Sequence, residues 1–233
     1  MERVVVPEIL DTLAPTHELA IGSRSDIHRL NRLMGNAKIL ARAFRENLPA
    51  GRLRTQSLHV ADLGAGEGLV MSDVARESTD VSAEIHLTLV DRHSVFTEQT
   101  RRELAECGWR AEVAVAEVLD WLELAPVVDV MFVNLLLHQF RERELKTLLQ
   151  RAAQRTRLLI ACEPRRSSLA FVAARWVGLA GANAVTRHDA PASVQAGFLG
   201  KELSALWPAG LEWELKESEV GMFGHLFIAK QNG

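Results

Sequence analysis

A chain of 233 residues with 48% hydrophobic and 24% charged side chains has the composition of a folded globular protein, which excludes disordered and collagen-like architectures. Its length suits one hydrophobic core with a small appendage rather than two full domains. The net charge of −3 offers no general attraction to phosphate backbones, so nucleic acid is not expected as a partner.

Met1-Glu2-Arg3-Val4-Val5-Val6-Pro7 contains no long apolar run before a small-residue cleavage site, and nothing later approaches ~18 uninterrupted apolar residues. Neither an export signal nor a membrane partner is expected, and Cys107 and Cys162, far apart and outside any CxxC pair, suit a reducing cytoplasm better than a disulfide framework or structural zinc. Across residues 24–45, Ile27, Leu30, Met34, Ala37, Ala41 and Phe44 recur at three- and four-residue steps, with Arg24, His28, Asn31 and Gly35 on another face. This predicts one amphipathic helix, ended by Pro49-Ala50-Gly51, and residues 1–50 as an N-terminal helical cap.

Short Val-, Leu- and Ile-rich runs follow at 57–63, 85–90, 111–115, 127–133 and 156–161, alternating with helix-length segments at 69–76, 95–107, 119–124 and 141–155. That alternation predicts an α/β fold, doubly wound, with a parallel sheet covered on both faces. Beyond Glu163-Pro164 the pattern predicts a helix at 169–179, a polar turn region at 183–192 and a helix at 193–206. Two last strands at 211–217 and 222–230, separated by Glu219-Val220-Gly221, complete a seven-stranded sheet with an antiparallel C-terminal hairpin. There are no internal repeats.

Directly after the first core strand stands Ala61-Asp62-Leu63-Gly64-Ala65-Gly66-Glu67-Gly68. Glycines there allow a sharp turn and let a nucleotide-like ligand lie against bare main chain at a helix start. The spacing is G-x-G-x-G, and Leu69 occupies the position that would complete a dinucleotide fingerprint. A nicotinamide-dependent oxidoreductase is therefore the alternative rather than the first reading.

Val60-Ala61-Asp62-Leu63-Gly64-Ala65-Gly66-Glu67-Gly68 resembles the first motif of class I S-adenosylmethionine (SAM)-dependent methyltransferases. Leu87-Thr88-Leu89-Val90-Asp91 ends in an acid where that family places the carboxylate that accepts hydrogen bonds from both ribose hydroxyls. Ala116-Glu117-Val118-Leu119-Asp120-Trp121-Leu122 resembles the third motif; the family often has Gly-Asp at its start, so the adenine contact falls on Glu117 or on the neighbouring backbone. Val128-Asp129-Val130-Met131-Phe132-Val133-Asn134-Leu135-Leu136-Leu137-His138-Gln139-Phe140 resembles the fourth strand and the apolar run into a His-rich turn of small-molecule members. The resemblance spans residues 57–230. It implies S-adenosyl-L-methionine as cofactor, residues 51–233 as the domain that binds it, and Asp62, Gly64, Ala65, Gly66, Gly68, Asp91, Arg92, Glu117, Val118 and Asn134 as the residues around it. Ordinary alternatives are that Asp91 caps the following helix, that Asp62 only organises the turn, and that Trp121 packs in the core instead of stacking on adenine.

Within that family, Asn134-Leu135-Leu136-Leu137 replaces the Asn-Pro-Pro-Tyr segment of amino-group methyltransferases, and the chain has no tyrosine. Neither cysteine looks activated for pyrimidine C5 chemistry, and Asn134 and Glu163 lack a second acid beside them for a magnesium-dependent site, so no metal is expected. What remains is methyl transfer to a small molecule, such as the hydroxyl of an aromatic or polyketide-like secondary metabolite, with His138 as proton acceptor and His188 as its rival. Candidate substrate contacts are His28 and Asn31 on the first helix, Arg165 in Glu163-Pro164-Arg165-Arg166, and Arg187 beside His188 and Asp189. Set against these, His138 is also readable as a core or capping histidine, Asp189 and Ser193 as helix caps, and the arginines as surface residues. A non-catalytic SAM-binding regulator is the remaining class, and the assembly is read as a monomer or homodimer.

Overall fold

The computed structural model describes residues 1–48, 57–81, 83–210 and 212–232. The expected cap boundary at residue 50 and Leu211, the expected start of the sixth strand, lie outside the described residues. Seven strands form one sheet: β1 Leu58–Leu63, β2 Ile85–Asp91, β3 Trp109–Val115, β4 Val130–Asn134, β5 Leu158–Pro164, β6 Trp213–Val220 and β7 Gly224–Gln231. They are ordered β3-β2-β1-β4-β5-β7-β6. The first five pair in parallel, β7 runs antiparallel to β5, and β6 antiparallel to β7. The order reverses between β1 and β4, and the carboxyl ends of those strands open a crevice of the kind where doubly wound sheets take ligands.

The helices are α1 Glu18–Met34, α2 Asn36–Asn47, α3 Leu69–Arg76, α4 Glu98–Glu106, α5 Val118–Leu124, α6 Glu142–Arg155, α7 Ser168–Arg175, α8 Ala184–Ala196 and α9 Glu202–Leu206. Period-two alternation in the strands feeds two cores. Val60, Leu87 and Phe132 join Leu40, Phe44 and Met71 on one face, whereas Leu63, Val133 and Leu159 join Leu145, Leu148 and Phe227 on the other. Phe44 packs on Trp109 and Phe132 at 6.2 and 5.6 Å between ring centroids. Truncating such a fully buried aromatic costs about 3–5 kcal/mol, so α2 is an integral layer of the sheet domain. Among the described residues, no helix is long and apolar enough to cross a membrane.

Three expected elements differ. The single helix over 24–45 is divided at Gly35, whose φ of 71° ends α1 in the left-handed region that a residue without Cβ adopts at little cost. The polar turn region at 183–192 is the helix α8, capped by Asn183, and it is the stretch at 193–206 that breaks, at Gly197. Polarity misled there because the polar side chains turn inward. Asp26 of α1 accepts bonds from the Asn183 amide and the Thr186 hydroxyl, and buried Asp189 accepts the amides of Ile9 and Leu10. Finally, β6 continues through Glu219 and Val220, so the hairpin turns at residues 221–223.

Candidate active site at the carboxyl edge of the sheet

The chain leaves β1 through Gly64 and Gly66, with φ of 72° and 53°. A Cβ at Gly64 would meet the Leu136 side chain at 2.9 Å, whereas one at Gly66 would meet nothing within 4 Å. Bare backbone at Gly66 thus faces open space. The turn holds itself together: Gly64 and Ala65 donate to the Val90 carbonyl at 2.9 and 3.0 Å, and Gly66 donates to Asp91 Oδ2 at 2.9 Å. Asp91 Oδ1 accepts the His93 amide at 2.8 Å, so each carboxylate oxygen is fixed by one amide and keeps a lone pair for another donor. Beneath the turn, burial and then the nearby Asp91 charge push the Asp62 carboxyl well above its ordinary range.

A cavity of about 440 Å³ lies over this turn. Gly64, Ala65, Gly66, Asp91, Arg92, Glu117, Val118 and Asn134 all line it, whereas Asp62 and Gly68 are buried and do not. Trp121 packs in the second core instead. Arg24, His28 and Asn31 of α1 complete the wall, so the polar face of that helix turns toward the first cavity. Arg24 pairs with Glu67 at 2.8 Å and His28 with Asp73 at 2.9 Å. Asn31 Oδ1 accepts from Asn134 Nδ2 at 2.9 Å and from Asn36 Nδ2 at 2.7 Å, tying the cap helix to the end of β4.

A second cavity, of about 380 Å³, adjoins the first, and Leu10, Ile27, Leu135 and Gln139 line both. Leu135 has a φ of 53°, uncommon for a side chain branched at Cγ, with its amide held by the Cys162 carbonyl at 3.0 Å. Strain of this kind, worth about 1–3 kcal/mol, persists where surrounding structure enforces it, and here it stands at the partition between two cavities. The second cavity is lined mainly by apolar side chains such as Leu30, Met34, Ala173, Trp176 and Phe223.

His138 supplies its polar end. The ring is buried, with Nδ1 at 2.7 Å from Glu163 Oε2 and Nε2 at 3.3 Å from Glu8 Oε1. Burial alone would lower the imidazole pKa, but the bonds to Glu163 and Glu8 and their charges carry it up to about 9. Burial likewise pushes Glu8 up, and the bond to His138, together with Ser193 and Gln139, holds it below the usual carboxylate value. Both carboxylates thus favour the protonated form of the ring.

The remaining sequence candidates lie elsewhere. His188 and Arg187 are exposed and line neither cavity; His188 bonds its neighbour Asp189 at 2.9 Å. Arg165 pairs with Glu219 at 2.6 Å, and Arg166 binds Glu202 and the Gly197 carbonyl, so neither guanidinium reaches a cavity. Sequence reading missed Glu8, Leu10, Leu135 and Gln139. Glu163 is visible in the sequence as an acid near the end of β5, where it suggests only a metal ligand; Glu8 carries no local signal, because its partners are 130 or more residues away.

The reversed strand order, the glycine turn at its switch point and the acid ending β2 define a doubly wound, Rossmann-like α/β fold. Within it, residues 60–157 match the family model described as a methyltransferase domain. An O-methyltransferase family protein from Burkholderia thailandensis superposes with a TM-score of 0.58 at 17% identity, over 93% of this chain and 61% of that one. The mitomycin 7-O-methyltransferase MmcR gives 0.52 at 17%, over 87% and 56%. The plantazolicin methyltransferase BpumL in complex with SAH gives 0.63 at 10%, over 96% and 93%. The chain thus spans about three fifths of the length of the two O-methyltransferases and nearly all of BpumL. No curated protein matches the sequence.

Proposed function

We propose that this chain is a SAM-dependent methyltransferase that methylates a hydroxyl group of a flat, mostly apolar aromatic small molecule, without a metal ion. The observation that carries the reading is the pair of adjoining cavities, one floored by the glycine turn and Asp91, the other apolar with His138 at its polar end. SAM suits the first: Gly66 offers bare backbone, Asp91 keeps a free lone pair on each oxygen for ribose hydroxyls, and Glu117 and Val118 lie where the adenine edge would rest. When bound, that cofactor supplies a methyl group already activated on a sulfonium.

The protein's own part is alignment and charge. The apolar walls of the second cavity bury a flat ring and exclude water, which strengthens the charged contact at its end. Glu163 fixes the orientation of the ring through Nδ1, and Nε2–H, which meets Glu8 Oε1 in this structure, is the donor for the acceptor oxygen. Bound there, an acceptor is favoured in its phenolate form, the better nucleophile: the phenol gives its proton to bulk water before it enters the cavity, and the ring keeps its own. Supporting a metal-free reaction, no group of three or more His, Cys, Asp or Glu side chains able to hold a metal occurs among the described residues.

Calorimetry with SAM and with NADH, followed by a turnover screen of hydroxylated aromatics read by release of the demethylated cofactor, tests the proposal. Saturable SAM binding with turnover on at least one phenol is expected. Tight NADH binding with none for SAM would overturn it in favour of an oxidoreductase.

A further inference from the structure

The segment before α1 crosses both cavities. Leu10 lines each of them, and Asp11 and Leu13 line the first. Its attachments are polar and strung along its length. Arg3 donates to the carbonyls of Ala196 at 2.8 Å and Phe140 at 2.9 Å, the Val4 amide reaches the Gln195 carbonyl, and Ile9 and Leu10 donate to Asp189 at 2.9 and 3.0 Å. Few of its apolar side chains are buried: Val4, Val6 and Ile9 are exposed. A strand of chain held by hydrogen bonds, with little apolar burial, belongs to the readily opened part of a fold.

Between these attachments, Glu8 is buried against Nε2 of His138, and its carboxylate also accepts from the Ser193 hydroxyl at 2.5 Å and from the Gln139 side-chain amide at 3.2 Å. Its contact with Nε2, at 3.3 Å, is longer than the 2.7 Å bond of Glu163 at the other nitrogen. The carboxylate therefore places an anionic oxygen where the ring has a donor to give.

We propose that the segment before α1 is a displaceable strap, and that the Glu8 carboxylate holds, at Nε2 of His138, the place that an anionic oxygen of the acceptor takes when the strap opens. The proposal rests on the second cavity being the acceptor site, and it names the acceptor's chemistry: a phenolate or a similarly acidic oxygen on an apolar body. One carboxylate on each side leaves the charge at His138 already balanced twice over, so the arriving anion and Glu8 compete. Exchange of one oxyanion for the other keeps the imidazolium paired throughout, and no step strands a buried charge. Entry of a neutral alcohol gives no such exchange, so the strap selects for acidity as well as for shape.

The test uses the full chain saturated with S-adenosylhomocysteine and 4-nitrophenol as the probe, because its phenolate is read by its own visible absorption. Hydrogen exchange at the amides of Ile9 and Leu10 reports the strap. Binding of the phenolate should speed exchange at both amides, and Glu8→Gln, which keeps the shape and removes the charge, should bind the probe roughly 5- to 50-fold more tightly, the scale of a coupling of ~1–2.3 kcal/mol. Arg3→Ala, which loosens the strap away from the Glu8 side chain, should shift affinity in the same direction and serves if Glu8→Gln does not fold. Unchanged exchange at Ile9 and Leu10 in the probe-bound wild type, or no tighter binding by the variants, overturns the strap. Absence of S-adenosylhomocysteine binding sinks the methyltransferase reading instead, and the probe titration then still decides whether Glu8 and a phenolate compete for His138.

Discussion

Glu163, the acid near the end of β5, accepts the backbone amides of Leu136 and Leu137 at 2.9 and 2.8 Å while holding His138 Nδ1 at 2.7 Å. One buried side chain thus shapes the turn after β4 and orients the ring that the turn presents.

Removing it should be felt as stability before it is felt as activity. Glu163→Ala leaves a buried imidazolium and several amides without their acceptor, and breaking a buried pair in this way costs about 3–5 kcal/mol. For a chain of this size that is a fall in Tm of roughly 6–20 °C. Thermal unfolding followed by circular dichroism checks it, with Glu163→Gln, which retains one acceptor oxygen, falling between. A Tm for Glu163→Ala within about 1 °C of wild type would show that the turn is shaped by other contacts.

The same histidine sets an alkaline limit to stability. Its pKa is raised on folding from an unfolded value near ~6.5 to about 9. A raised folded pKa stabilises fully below the unfolded value, and that contribution is lost as pH rises through the folded one. The loss therefore runs from about pH 6.5 to about pH 9 and amounts to roughly 3 kcal/mol at most. Urea midpoints measured across that window should decline in the wild type and flatten in His138→Gln; equal slopes in the two proteins would remove His138 as the cause.

Asp91 carries the prediction for the cofactor. Asp91→Ala removes the acceptor for ribose and also the one that holds the amides of Gly66 and His93, so SAM affinity should fall by about 1.5–3 kcal/mol. Calorimetry at constant salt reads the change directly. Affinity within twofold of wild type would mean that the cofactor does not engage this carboxylate.

These residues also show where sequence reading reaches and where it stops. Asp91 and the glycines were legible because a strand, a tight turn and a helix start are consecutive in the chain, and their chemistry follows from local geometry. The sheet was legible for a similar reason, since buried parallel strands write apolar runs that no later packing disguises. By contrast, α8 was read as a turn because Thr186 and Asp189 spend their polarity inward, on Ser23 and Asp26 and on the strap. Arg187 and His188 were adjacent in sequence to a real wall of the second cavity, yet a helix turns successive side chains about a hundred degrees apart, and theirs face out. Glu8 had no periodicity to betray it, and only the folded chain brings it to His138.

Independence from metal is checked once an acceptor is in hand. Activity should be unchanged by a chelator at millimolar concentration and by added magnesium, because no cluster of candidate ligands stands at the described strand ends. Loss of turnover on chelation with recovery on adding magnesium would reverse this part of the reading.

The last prediction separates an imidazolium that holds an oxyanion from a neutral imidazole that removes a proton. If His138 acts with its proton on, kcat/KM for a phenol should fall as pH rises through about 9, where the ring loses that proton, whereas a neutral base would gain activity over the same range. His138→Ala should lower kcat/KM by roughly 10- to 150-fold, the scale of a lost hydrogen bond from a charged group at 1.5–3 kcal/mol, while SAM affinity stays the same because the ring lines only the second cavity. His188→Ala should leave turnover unchanged, since that ring is exposed and reaches neither cavity. Glu8→Gln supplies the internal control: with one of its two carboxylates gone, His138 should lose its proton at a lower pH, and the alkaline limb of the wild-type profile should move down with it. An alkaline limb that stays in place in Glu8→Gln, or a His138→Ala variant with full turnover, would show that the proposed transfer proceeds by alignment alone.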